Sequence, residues 1–225
     1  MIWGSLEVHR RQERNRAIKV SLALFAAFLI VTEQVLTKSY LYRLDHKIKA
    51  IKHHTFRGMS SHILLALDDL GLRSLTATCL LVTAVLIAYR YKSWRPIYFS
   101  VGALLLLNGV VGVAKILFGR SKPRLNLDIY HSGVVGSYPS GHSSNALLTW
   151  GALAYLLYRY TNFFARRFLA LYSLVGLITA TVCLVSLIRN THWFSDLIGG
   201  VFLGGSILVF LIAADRAWPS KRQLS

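Results

Sequence analysis

Acidic residues are scarce in this chain, nine against 26 lysines and arginines, and the formal charge at pH 7 is +17. Cysteine is scarcer still. Cys79 and Cys183 each lie inside an apolar run with no partner at metal-ligand spacing, which excludes a cysteine-based metal cluster and leaves both as expected core residues. Long polar stretches are also missing: hydrophobic residues make up 54% of the chain, above the roughly 45–50% of an ordinary soluble domain. The basic excess does not point to nucleic acid, because Lys and Arg gather at the ends of apolar runs rather than along one polar face or in an aromatic-interleaved patch. Such placement speaks for membrane topology and an anionic substrate. No internal repeat, low-complexity tract or interdomain linker divides the chain, so residues 1–225 read as one membrane domain.

Six stretches are long and apolar enough to cross a bilayer, which takes about 20 residues per helix. They run near Ile18 to Leu36, Leu72 to Ala88, Pro96 to Phe118, Ser144 to Tyr158, Leu169 to Ile188 and Trp193 to Ala213. The expected fold is therefore all-α, an integral membrane bundle of six transmembrane helices. The first stretch follows Arg10, Arg11, Arg14 and Arg16 but continues into Thr32-Glu33-Gln34 without a small-x-small site, which predicts an uncleaved anchor helix. Fourteen of the 26 basic residues fall in the N-terminal arm, the turns at Arg90 to Arg95 and Arg159 to Arg167, and the tail. Twelve lie opposite, and five of those sit in segments suited to binding phosphate. Basic residues in short loops resist translocation, so both termini are expected to be cytoplasmic and the loops after the first, third and fifth helices to face outward. In the first outer loop, residues 37–71, Leu41, Leu44, Ile48 and Ile51 recur at helical spacing between Arg43, Lys47, Lys49 and Lys52, a pattern that predicts a short helix on the membrane surface.

Three outward segments within residues 115–196 hold groups suited to a phosphate ester. In Lys115-Ile-Leu-Phe-Gly119-Arg120-Ser-Lys122-Pro123-Arg124, Gly119 and Pro123 are expected to end the third helix and keep the cations at its mouth. There they can neutralise a phosphate and the charge its transition state develops, or simply anchor the helix in lipid headgroups. In Tyr138-Pro139-Ser140-Gly141-His142-Ser143-Ser144-Asn145, Ser140 or a neighbour caps the next helix. That helix start offers backbone N–H groups, Gly141 permits close approach, and His142 can hand a proton to a leaving oxygen. A well-capped helix with an incidental histidine is the plainer alternative. In Ser186-Leu-Ile-Arg189-Asn190-Thr191-His192-Trp193-Phe194-Ser195-Asp196, a helix starting near His192 sets His192 and Asp196 at i and i+4. The carboxylate then orients the ring as a nucleophilic histidine requires, or merely complements a helix N-terminus beside an interfacial tryptophan.

Together the three segments resemble the signatures of the type 2 phosphatidic acid phosphatase family, which shares its active-site pattern with the vanadium haloperoxidases. The family pattern is a lysine, six residues and Arg-Pro; then Pro-Ser-Gly-His; then Ser-Arg, five residues, His, three residues, Asp. Lys115 takes the first position, Ser140, Gly141 and His142 the second motif, and His192 and Asp196 the third. Lys122 stands in place of the arginine before Pro123, and Val185 and Ser186 occupy the Ser-Arg positions. Arg189, one helical turn further on, is expected to reach the phosphate from the same face. The resemblance implies a lipid phosphate or diphosphate phosphatase with His192 as nucleophile, His142 as general acid and Asp196 as the partner of His192. Lys115, Lys122, Arg120, Ser140, Gly141 and Arg189 are the expected phosphate-binding residues. No metal or cofactor is implied, and the motifs hold no cluster of carboxylates of the kind that Mg²⁺ sites use. A lipid phosphotransferase and a catalytically impaired lipid-binding or transport protein are the alternatives. Outside the motifs, His46, His53, His54, His62 and His131 are expected to be exposed or interfacial, and Asp68-Asp69 to begin or end a loop helix or to close the outer mouth.

Overall fold

The computed structural model describes residues 2–51, 59–125, 136–161, 164 and 166–217. All regular structure among them is helical. The long helices are α1 (Ile2–Leu36), α4 (Arg73–Tyr91), α5 (Arg95–Phe118), α6 (Gly141–Tyr160), α7 (Phe168–Ile188) and α8 (Phe194–Ala217), with shorter α2 (Tyr40–Ala50) and α3 (Met59–Asp68) between α1 and α4. Two 3₁₀ turns, Asp69–Gly71 and Pro123–Leu125, complete the order.

Local chemistry sets the boundaries. Pro96 sits in the first turn of α5, where its missing N–H costs nothing. Gly119 ends the helix in the left-handed region (φ +51°) and donates its N–H to the Lys115 carbonyl at 3.1 Å, as its position in the sequence predicts. Five helical segments, Arg11–Leu36, Arg73–Tyr91, Arg95–Phe118, Phe168–Ile188 and Phe194–Ala217, have the length and apolar character to cross a membrane. The remaining expected span, Ser144 to Tyr158, falls on α6, which is as long as its neighbours but more polar, because Ser143, Ser144, Asn145 and Thr149 are turned inward. α6 lies among α4, α5, α7 and α8, and α8 packs in turn on α1, α2, α5, α6 and α7. The apolar side chains on the outside complete the membrane pattern: Ile116 is 84% exposed and Leu177 64%.

α6 and α8 approach closely through small residues. A Cβ on Gly200 would lie 2.2 Å from Ser143 Oγ and 2.6 Å from the Ser140 carbonyl. Where lipid removes the hydrophobic drive between helices, such backbone proximity and interhelical hydrogen bonds hold the bundle. Ser143 and Ser144 donate across it to the carbonyls of Leu197 (3.1 Å) and Gly200 (3.0 Å). Ser21 and Ser206 exchange hydroxyl-to-carbonyl bonds, each 2.9 Å, between α1 and α8. At the end of the bundle away from the motifs, Asp215 accepts from Arg95 Nε and Tyr155 Oη at 2.6 Å each and also pairs with Arg159, tying α5, α6 and α8. Cys79 and Cys183, expected in the core, are instead only partly buried.

Candidate active site

All three motif segments meet at one end of the bundle, where α5 and α7 finish and α6 and α8 begin. α8 starts at Phe194 rather than near His192, so the pairing of His192 with Asp196 does not come from two turns of one helix. Asp196 sits in the first turn and reaches back over the helix start. Its Oδ2 accepts the Trp193 N–H at 3.1 Å and faces His192 Nδ1 at 3.4 Å. The backbone bond is half of a capping box, in which a third-position acid satisfies an N–H that the helix cannot. With the Nδ1 proton directed at the carboxylate, the Nε2 lone pair points away from it.

His142 enters from the first turn of α6, and its ring lies 6.1 Å from that of His192. Lys115, from the last turn of α5, is within electrostatic reach of Lys122, Asp196 and Arg73. His142 is within reach of Lys115, Lys122, His192 and Asp68. Burial lowers its pKa from the ordinary histidine value and the charge of Asp68 opposes that, while His192 and the two lysines add to it. Lys115, Lys122, His142, His192 and Asp196 are thus brought together from all three motif segments.

Ser140 is fully buried and spent on capping: its Oγ accepts the Ser143 N–H at 3.4 Å and its own N–H donates to the Asp196 carbonyl at 3.0 Å. A Cβ on Gly141 would meet nothing within 4 Å, so the backbone at the start of α6 borders open space, where the first N–H groups have no acceptor inside the helix. Tyr138 fills the space beneath, stacked on Phe28 and hydrogen-bonded to Thr32 at 2.7 Å.

Both arginines of the expected phosphate-binding set pair with carboxylates, to different extents. Arg120 is completely buried and pairs with two carboxylates, donating from Nη1 to Asp196 Oδ1 and from Nη2 to Asp45 Oδ2, each at 2.6 Å. Burial works against its charge, and Asp196 and Asp45 more than offset that, so its pKa stands above the usual arginine value. Arg189 caps α7 and pairs with Asp68 at the end of α3, whose other oxygen accepts the Ser186 hydroxyl at 3.0 Å. Ser186 stands where the family pattern has arginine, so that position and Arg189 share one acid. The side chain of Arg189 remains 26% exposed.

Sequence reasoning passed over Asp45 altogether. Its signal was that it is the one acid in the otherwise basic α2. Arg73, at the start of α4, and Gly71, where a Cβ would press on the His142 carbonyl at 2.8 Å, were missed as well. The remaining histidines divide. His62 is exposed, His46 lies with its ring 5.2 Å from that of Trp193, and His53, His54 and His131 fall outside the described residues. Among the described residues no group of three His, Cys, Asp or Glu could hold a metal ion.

Known proteins resemble this chain in sequence and in fold. The chain is 24% identical over 193 residues to phosphatidylglycerophosphatase B of Bacillus subtilis (strain 168), spanning 85% of this chain and 92% of that protein. The crystal structure of a transmembrane PAP2 type phosphatidylglycerolphosphate phosphatase from Bacillus subtilis has the same fold, with a TM-score of 0.79 at 21% identity over 90% of this chain and 98% of that one. The profile of the PAP2 superfamily matches residues 97–219, more than half of the chain and all three motif segments, and the chain therefore belongs to the PAP2 superfamily.

Proposed function

We propose that the protein is a lipid phosphate phosphatase that hydrolyses a phosphomonoester or diphosphate at the extracytoplasmic face of the membrane, through a phosphohistidine and without a metal ion. The facing of His192 and His142 across 6.1 Å carries this reading. In the first step His192 Nε2 attacks phosphorus, the P–O bond to the lipid breaks, and His142 gives its proton to the departing oxygen. Asp196 stabilises the positive charge that develops on the His192 ring. In the second step water attacks phosphorus, the N–P bond breaks, His142 takes the proton, and inorganic phosphate leaves. Lys115, Lys122 and the start of α6 at Gly141 supply the positive surroundings a phosphoryl group requires. Arg189, oriented by Asp68 and partly exposed, adds a fork donor from α7. Arg120 acts behind the site, holding Asp196, and Ser140 shapes the helix start. A phosphotransferase would run the same first step and replace water by a lipid or sugar hydroxyl in the second.

The Bacillus relative named phosphatidylglycerophosphatase B makes phosphatidylglycerol phosphate the first substrate to try. Phosphate release by the purified protein is expected to be unchanged by EDTA. His192→Ala is expected to lose covalent labelling and about 10³-fold or more of the rate, as when the nucleophile of a cooperating group is removed. In the same assay Arg189→Ala is expected to turn over more slowly while remaining folded. Activity that vanishes with EDTA and returns with Mg²⁺, or a His192→Ala variant near parental turnover, defeats the mechanism.

A further inference from the structure

The nucleophile is linked to a helix that lies outside every motif. α2 packs on α1 and α8 and turns a single carboxylate inward: Asp45 is 1% exposed, while Arg43, His46 and Lys47 around it face outward. Asp45 Oδ1 accepts the Ser195 N–H at 2.9 Å, and Oδ2 accepts the Ser195 hydroxyl at 2.5 Å and Arg120 Nη2 at 2.6 Å. Arg120 then donates from Nη1 to Ser195 Oγ at 2.7 Å and to Asp196 Oδ1 at 2.6 Å. The other oxygen of Asp196 is the one that faces His192. Asp45, Arg120 and Asp196 are all without exposed side-chain surface.

We propose that Asp45 is a positioning residue for the nucleophilic step, acting through Arg120 and the first turn of α8 on the Asp196 carboxylate that orients His192. The proposal rests on the reading of His192 as nucleophile. Two physical reasons support it. A guanidinium is a rigid planar fork, so anchoring Nη2 on Asp45 fixes where Nη1 lies and hence how the Asp196 carboxylate is turned. Charge adds to geometry. One arginine between two carboxylates leaves a net negative charge for the imidazolium that forms as His192 attacks. Without Asp45 the cation neutralises Asp196 alone, and that stabilisation shrinks at the step where it is needed. The effect falls on the transition state, since the lysines that attract the phosphate are not part of this link.

The test is steady-state and rapid-quench kinetics of the purified full chain with phosphatidylglycerol phosphate. Asp45→Asn is expected to lower kcat about tenfold or more with KM within about twofold, and to slow phosphoenzyme formation, as for an interaction made only in the transition state. A folded Asp45→Asn with parental kcat, or with raised KM and unchanged kcat, overturns the proposal. If the variant does not accumulate as a folded protein, Ser195→Ala carries the test, because it loosens the same link without stranding a charge. A fall in kcat of about threefold or more at unchanged KM is then expected, and parental kcat refutes the role. Loss of phosphate release in His192→Ala secures the underlying reading independently. A parent that releases none, or an active His192→Ala, removes that reading and the role of Asp45 with it.

Discussion

A carboxylate withdrawn from water must either lose its charge or find a cation, and removing one partner of a buried pair costs about 3–5 kcal/mol. Among the described residues every buried or partly buried acid has an arginine: Asp45 and Asp196 share Arg120, Asp68 holds Arg189, and Asp215 holds Arg95 and Arg159. The histidines and Asp196 were legible from motif spacing, because each belongs to one short segment. The role of Arg120 was not, since its second partner lies 75 residues away in the chain. The setting of His142 yields a pH dependence. Burial holds its pKa below the ordinary 6.5, against the pull of Asp68. A proton donor fails as pH rises through its pKa, so the alkaline limb of kcat/KM, which reports the free enzyme, is expected below that of an ordinary histidine. Bound phosphate places negative charge among the same groups and raises the pKa, so the alkaline limb of kcat is expected at higher pH than that of kcat/KM. Measuring both profiles decides the matter, and coincident limbs, or limbs that persist in His142→Ala, count against the general acid.

At the level of elements, apolar runs located the long helices to within a few residues, because lipid demands length and hydrophobicity whatever the partner helix, except at the start of α1, which begins at Ile2 and carries the basic arm before Ile18 in the same helix. α6 is the informative exception. Its polar face is turned inside the bundle, where Ser143 and Ser144 find carbonyl partners on α8, so apolar character alone understates it. The first outer loop was half legible: α2 follows from its alternation of apolar and basic residues, whereas α3 carries no comparable sign. The contact of α6 with α8 depends on Gly200. Gly200→Ala would drive a methyl into Ser143 and the Ser140 carbonyl, and overpacking of this kind costs about 1–3 kcal/mol. Because the same contact sets the starts of both helices, thermal stability in detergent and kcat are expected to fall together. Gly109→Ala, where a Cβ meets nothing within 4 Å, is the matched control and is expected to change neither. A Gly200→Ala protein as stable and active as the parent would remove that contact from the account of the site.

For the whole molecule, the helices alternate in direction so that the motif end and the Asp215 end lie at opposite ends of the bundle. Which end faces out is a matter of charge, and the excess of Lys and Arg toward the Asp215 end argues for an external motif end. Replacing Cys79 and Cys183 by serine and introducing Arg124→Cys, at an exposed position beside the site, gives a direct test. Labelling by an impermeant maleimide in intact cells is expected. Labelling only after permeabilisation reverses the topology and removes the external site with it.

The sequence by itself determined the long apolar helices, the expected side of the motifs and the candidacy of His142, His192 and Asp196, because each follows from periodicity, local spacing or the energetics of lipid. Only the tertiary structure decided how the cations are used. A guanidinium looks the same in sequence whether it meets a phosphate or a carboxylate, and what separates the two is the acid that folding brings to it. Asp45 crosses from α2 to bury Arg120 behind His192, and Asp68 ends α3 against Arg189.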